Sequence, residues 1–93
     1  MTTINKGVDI GTTSTVILDA NTSRYYFAII NDSDTDIYLA LGADAVAHQG
    51  IRLNAHGGSF ELVSRDMYRF AINGIHAGSG TKRVTVVDDY LYA

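Results

Sequence analysis

The chain contains no cysteine, so neither disulfides nor a thiolate metal site can stabilise it. That absence is compatible with a reducing cytoplasm and does not by itself fix a compartment. Proline is missing too, and turns must be built from Gly, Asn, Asp and Ser. There is no basic run. Lys6, Arg24, Arg52, Arg65, Arg69, Lys82 and Arg83 are scattered through a chain of net charge −3. Binding to a nucleic-acid backbone needs a concentrated cationic patch, so no nucleic-acid partner is expected. No segment approaches the roughly 18 consecutive apolar residues of a membrane span. The opening MTTINKGVDIGTTST lacks the apolar core of a signal peptide. A soluble protein without membrane insertion is expected. Helical periodicity sustained over three turns is absent as well.

What the chain does have is short β-type runs. Ninety-three residues make one domain. A chain of this size buries only about 60–65% of its unfolded surface, which leaves a thin core to which partner chains can add. Residues 1–13 read as an extended arm, a frayed end or a short first strand. Residues 14–88 read as the folded domain, and 89–93 as a tail.

Thr15 to Asp19 is β-branched and reads as a strand. Arg24 to Asn31 (RYYFAIIN) is the strongest strand signal. Strict alternation puts Tyr25, Phe27 and Ile29 on one face and Tyr26, Ala28 and Ile30 on the other. Both faces are apolar, so the strand belongs at the centre of a sheet or in a subunit interface; at an open edge it would invite aggregation. Asp32 to Thr35 turns into Asp36 to Gly42 (DIYLALG), and the two strands are expected to form a hairpin. Ala43 to Gly50 connects onward, with room for a helical turn.

Ile51 to Leu53 is a short strand, Asn54 to Gly58 a turn, and Ser59 to Ser64 another strand. Arg65 to Arg69 is the one short helical candidate, equally readable as a loop. Phe70 to Ala77 is a strand whose internal Gly74 suggests a bulge or a close backbone approach. Gly78-Ser79-Gly80 is expected to be a hairpin turn into the strand Lys82 to Asp88. About seven or eight short strands at this spacing predict an all-β fold, a single antiparallel β-sandwich of jelly-roll or immunoglobulin-like type, or a small barrel.

The succession RYYFAIIN, NDSDTDIYLALG, GIRLNAHGGSFEL and AINGIHAGSGTKRVTVVD, over residues 24–88, resembles small virion structural proteins of tailed bacteriophages. There, a strand ending in Asn precedes an "IYLALG"-type strand, a "GIRL" strand, a Gly-rich turn, an "AINAIHA"-type strand and a closing "VTV" strand. The resemblance implies a β-sandwich carried on the phage particle, as a capsid decoration or cement protein, or as a neck or tail-fibre-associated component. It implies no catalysis. The expected partners are other virion proteins, such as the major capsid protein or neck and tail proteins, together with copies of the chain, a trimer being favoured. The expected location is the virion, after synthesis in the host bacterial cytoplasm. A carbohydrate- or receptor-binding module of a tail fibre is the alternative.

Candidate sites have plain readings beside the functional ones. Asp32, Asp34 and Asp36 alternate as the first ligands of a calcium loop do. The later Gly and Glu positions of such a loop fall on Ile37 and Ala43, so a turn with local side-chain bonds is expected. His48, His56 and His76 match no zinc spacing. Gly78-Ser79-Gly80 lacks the continuation of a phosphate-binding loop, and Ser59 lacks the pattern of a nucleophile elbow. No catalytic residue, cofactor or metal ligand is therefore assigned. The tyrosines are either strand packing or interface groups. The interface candidates are Tyr25, Tyr26, Phe27, Tyr38, Tyr90, Leu91 and Tyr92. For the last three, the plain reading extends the final strand and the sharper one docks the tail on a neighbour.

Overall fold

The computed structural model of the chain describes residues 2–63 and 69–91. The expected helical piece at 65–69 lies, apart from Arg69, outside the described residues, as does the interface candidate Tyr92. Among the described residues there are eight strands: β1 (Thr2–Ile10), β2 (Thr15–Leu18), β3 (Arg24–Asn31), β4 (Ile37–Leu41), β5 (Ile51–Leu53), β6 (Ser59–Val63), β7 (Ile72–His76) and β8 (Lys82–Tyr90). They form two four-stranded sheets, ordered β1-β8-β3-β6 and β2-β7-β4-β5. Every pairing is antiparallel. Only β4 and β5 are both consecutive in sequence and hydrogen-bonded; each other connection passes from one sheet to the other. This is the strand order of a jelly roll and not of an immunoglobulin-type sandwich. Of the three readings of residues 1–13, the first strand is the one found, since β1 pairs with β8 from Thr2 to Ile10.

The core lies between the sheets. Alternation delivers Phe27 and Ile29 from β3, Val84 and Val86 from β8, Ile37 and Leu39 from β4, and Ile72 from β7, with Ile10, Ile17, Leu18 and Leu53. Phe60 meets Phe27 edge-on, with ring centroids 5.6 Å apart. Gly74 faces this core: a methyl group there would collide with Ile17. The glycine thus permits close approach, and the β2–β7 register shifts alongside it, between Val16 and Leu18.

Two expected hairpins do not form. β3 and β4 lie in different sheets, as do β7 and β8. Side chains at the strand ends explain both departures. The Asn31 amide, fully buried, donates to the carbonyls of Thr35 (2.8 Å) and Leu53 (2.9 Å), carrying the chain across from one sheet to the other. His76, also buried, accepts from the Gly78 N–H through Nδ1 and bonds the Gly80 carbonyl through Nε2 (2.7 Å). The 77–80 loop therefore curls over the end of the sandwich, and β8 leaves to join β1 and β3.

β3 is central, between β8 and β6, as its apolar character predicts. Among the described residues, no strand outside the first sheet is hydrogen-bonded to it or supplies the expected second cover. The outer face of β3 bears Tyr26 and Ile30, both part-buried, and Ala28, which is 6% exposed.

Candidate functional site

The outer faces of the two sheets are finished differently. Over the second sheet, residues 42–50 fold back as a roof. Gly42 donates to the Ala71 carbonyl (2.8 Å), Ala45 N–H to the Ser14 hydroxyl (2.8 Å), and the Asn73 amide to the Ala43 carbonyl (2.6 Å). Ala45 of the roof packs onto Tyr38 and Ile75 below, a small second core against Ala40. Gly50 sits at φ 83°, and a Cβ there would strike the Leu39 carbonyl oxygen. Only glycine allows the roof to lie this close to β4.

At the end of the roof is an open recess of about 370 Å³ lined by Tyr38, His48, Gly50, Arg52 and Asn54. Tyr38 and Arg52 are direct cross-strand partners on the outward face of β4 and β5. The Tyr38 hydroxyl bonds His48 Nδ1 (2.9 Å), and the rings meet edge-on with centroids 4.9 Å apart. His48 holds a left-handed backbone, φ 65°, unusual for a residue with a side chain. His56, exposed in its turn, does the same at φ 62°.

The first sheet has no roof among the described residues. Its charged groups are largely paired in place. Arg83 bonds Asp9 (2.9 Å), and the Tyr26 hydroxyl donates to Glu61 (2.8 Å). That hydrogen bond, with slight burial and the negative charges of Glu61 and Asp89, holds the Tyr26 phenol above its ordinary pKa of 10.0. One oxygen of Asp89 is buried without a hydrogen-bond partner among the described residues.

A second recess, of about 250 Å³, opens between the sheets beside Ile4, Lys6, Asp19 and Tyr90. Its floor is a buried ion pair, Arg24 Nε to Asp88 Oδ1 at 2.9 Å. Arg24 also donates to the carbonyls of Asp19 (2.6 Å) and Phe70 (3.4 Å), so one guanidinium ties three separate chain segments to β3. A bulge makes this possible. Arg24 pairs with Tyr90 and Tyr26 with Asp89, leaving Tyr25 as the extra residue and turning Arg24 inward.

The interface candidates do not form one surface. Phe27 is fully buried in the chain's own core and presents nothing to a partner. Tyr38 lies under the roof of the second sheet. Tyr26 is on the outer face of the first, Tyr25 is the bulged residue, and Tyr90 belongs to β8 and lines the recess over Arg24. Leu91 is 48% exposed, its N–H bonded to the Ser23 carbonyl. The aspartates of the 32–36 turn point to different partners: Asp34 to Lys82 (2.8 Å) and Thr35, Asp36 to the Ala55 N–H. The Lys82 hydrogen bond, ahead of that from Thr35, lowers the Asp34 pKa below 3.8. Among the described residues no three metal-ligating groups stand together, and no helix is long and apolar enough to cross a membrane.

Arg24, Asp88 and the Tyr38–His48 pair escape a reading of residue types alone. Asp88 leaves a trace in the sequence, because it shares the inward parity of Val84 and Val86. The chain matches no family model, no curated protein and no solved structure.

Proposed function

We propose that this chain is a structural protein of a tailed-bacteriophage particle: a capsid decoration or cement protein, or a head–tail or fibre-associated component. It works by self-assembly, as a trimer, and by binding other virion proteins. No catalysis is assigned to it. The observation that carries the reading is the unroofed outer face of the first sheet. Ala28, Ile30, Val63, Thr85 and Val87 lie across it, together with Glu61, which accepts from the Tyr26 hydroxyl, and Asp89, with the Asp9–Arg83 ion pair to one side. Obligate interfaces are uncharged at their centre and resemble a core cut in half. The jelly roll itself is an architecture of capsid and lectin domains, which marks a fold more than a role.

Gel filtration with light scattering tests the reading. A discrete oligomer is expected at micromolar and higher concentration, reduced to monomer by Val63→Arg with Thr85→Arg. A monodisperse wild-type monomer, or an oligomer indifferent to both substitutions, counts against it. A second reading, a carbohydrate- or receptor-binding module of a tail fibre, is favoured by the polar recess around Tyr38, His48, Arg52 and Asn54.

A further inference from the structure

The geometry points to the recess beside Tyr38 as a site for an acidic sugar, with Arg52 holding the carboxylate and His48 and Asn54 meeting hydroxyls. This rests on the second reading above and names its ligand class.

Charge comes first. Arg52 is exposed and takes part in none of the ion pairs among the described residues. It stands at the recess of a chain whose net charge is −3. An unneutralised guanidinium presents a fork of donors matched to a carboxylate. A single cation suits a singly charged group. A phosphate dianion is ordinarily held by several cations or a nest of backbone N–H groups.

The other two polar groups select hydroxyls. Nδ1 of His48 is occupied by the Tyr38 hydroxyl, and Nε2 has no partner among the described residues. If the tyrosine donates, Nε2 carries the proton and is a donor; if it accepts, Nε2 is an acceptor. A hydroxyl satisfies either tautomer, since it donates and accepts. The Asn54 amide, also exposed, has the same dual character. Carboxylate and hydroxyls on one small molecule describe a sugar acid. An apolar ligand finds little here, because Tyr38 is only 8% exposed.

The site is held in shape before any ligand arrives. The Tyr38 hydroxyl fixes the His48 ring, and the pinned roof holds His48 at φ 65°. Such conformations persist where surroundings over-determine them, and they concentrate at ligand clamps. Self-assembly through the other sheet calls for neither the recess nor its order.

Amide chemical shifts of the full chain, followed by NMR during titration with sodium galacturonate, test the site. Shifts are expected at Tyr38 and across residues 48–54, saturating with a dissociation constant on the order of millimolar. Galactose and sodium acetate, each carrying half of the ligand, are expected to bind about tenfold more weakly. Arg52→Ala should lose about tenfold or more, and Arg52→Lys, which keeps the charge without the fork, should fall between. His48→Asn, which tolerates the left-handed backbone, should lose several-fold with the fold intact. Shifts confined to other residues, or Arg52→Ala binding as wild type, overturn the proposal. If galactose binds as tightly as galacturonate, the acid claim fails and the carbohydrate reading stands. If neither binds, both fail. Tighter binding of inorganic phosphate at the same residues overturns the sugar assignment.

Discussion

A guanidinium that is 1% exposed in a chain this small needs a physical account. Taking it out of water costs several kcal/mol, offset only if carboxylate and carbonyl partners are well placed. Arg24 has Asp88, the Asp19 carbonyl and the Phe70 carbonyl, and its guanidinium carbon lies 5.9 Å from the Phe27 ring centroid. Asp88→Ala removes the counter-charge and leaves the cation buried. It should destabilise the fold by about 3–5 kcal/mol. The double change Arg24→Met with Asp88→Leu should recover most of that loss. Urea denaturation of Arg24→Met, Asp88→Leu and the double closes the cycle. A loss below about 1 kcal/mol for Asp88→Ala would show that the pair is not what holds these segments. At this scale the sequence misleads in a specific way. Strict alternation from Phe27 puts Tyr25 inside, and one bulged residue puts Arg24 there instead. Bulges leave little trace in a run such as RYYF, where every neighbour is a plausible strand residue.

Among elements, the 42–50 roof depends on one backbone position. Gly50→Ala forces a left-handed alanine and drives its methyl into the Leu39 carbonyl. A loss of about 2–3 kcal/mol is expected, from the backbone conformation and the collision together. Its signature should be local, with faster amide exchange at Ala45 and Gly42, whose N–H groups bond Ser14 and Ala71. Unchanged exchange at both would mean that the roof does not rely on Gly50. The strand runs themselves were readable: each segment from Thr15 to Asp88 with β-branched or alternating residues is a strand, within a residue or two at the ends. Pairing was not. A hairpin and a crossing loop share the same flanking strands. The choice is made here by Asn31 and His76, whose bonds to distant carbonyls become visible only in three dimensions.

The whole molecule exposes 5095 Å². A folded monomer of its 10.1 kDa is expected to expose about 5,300 Å². The thin core anticipated from length is therefore closed to the degree usual for this size, and the proposed assembly adds to a sandwich already complete. Charge placement gives a prediction at the same scale. The acidic groups that alternate in sequence diverge in space, Asp34 toward Lys82 and Asp36 toward Ala55. Chelator treatment should leave the melting temperature unchanged in differential scanning calorimetry. A fall of more than about 5 °C, roughly 1 kcal/mol for a domain this size, would reveal a bound ion that these residues do not explain. The recess around Arg52 was not legible because it joins β4, β5 and the roof, and its tyrosine reads as ordinary strand packing.

The position of β8 bears on how the chain can be made. Among the described residues β1 has no strand neighbour other than β8, and β3 needs β8 on one side. While Lys82–Tyr90 is still inside a ribosome, the first sheet is reduced to β3 and β6, and the nine residues of β1 have nothing to pair with. Synthesis proceeds at about 5–20 residues per second, whereas folds dominated by long-range pairing close in roughly milliseconds to seconds. Closure therefore waits for the last strand and then follows quickly, with no prolyl isomerisation to slow it, since the chain has no proline. A nascent chain stalled before Lys82 would display the apolar edge of β3 to every neighbouring chain on the same message.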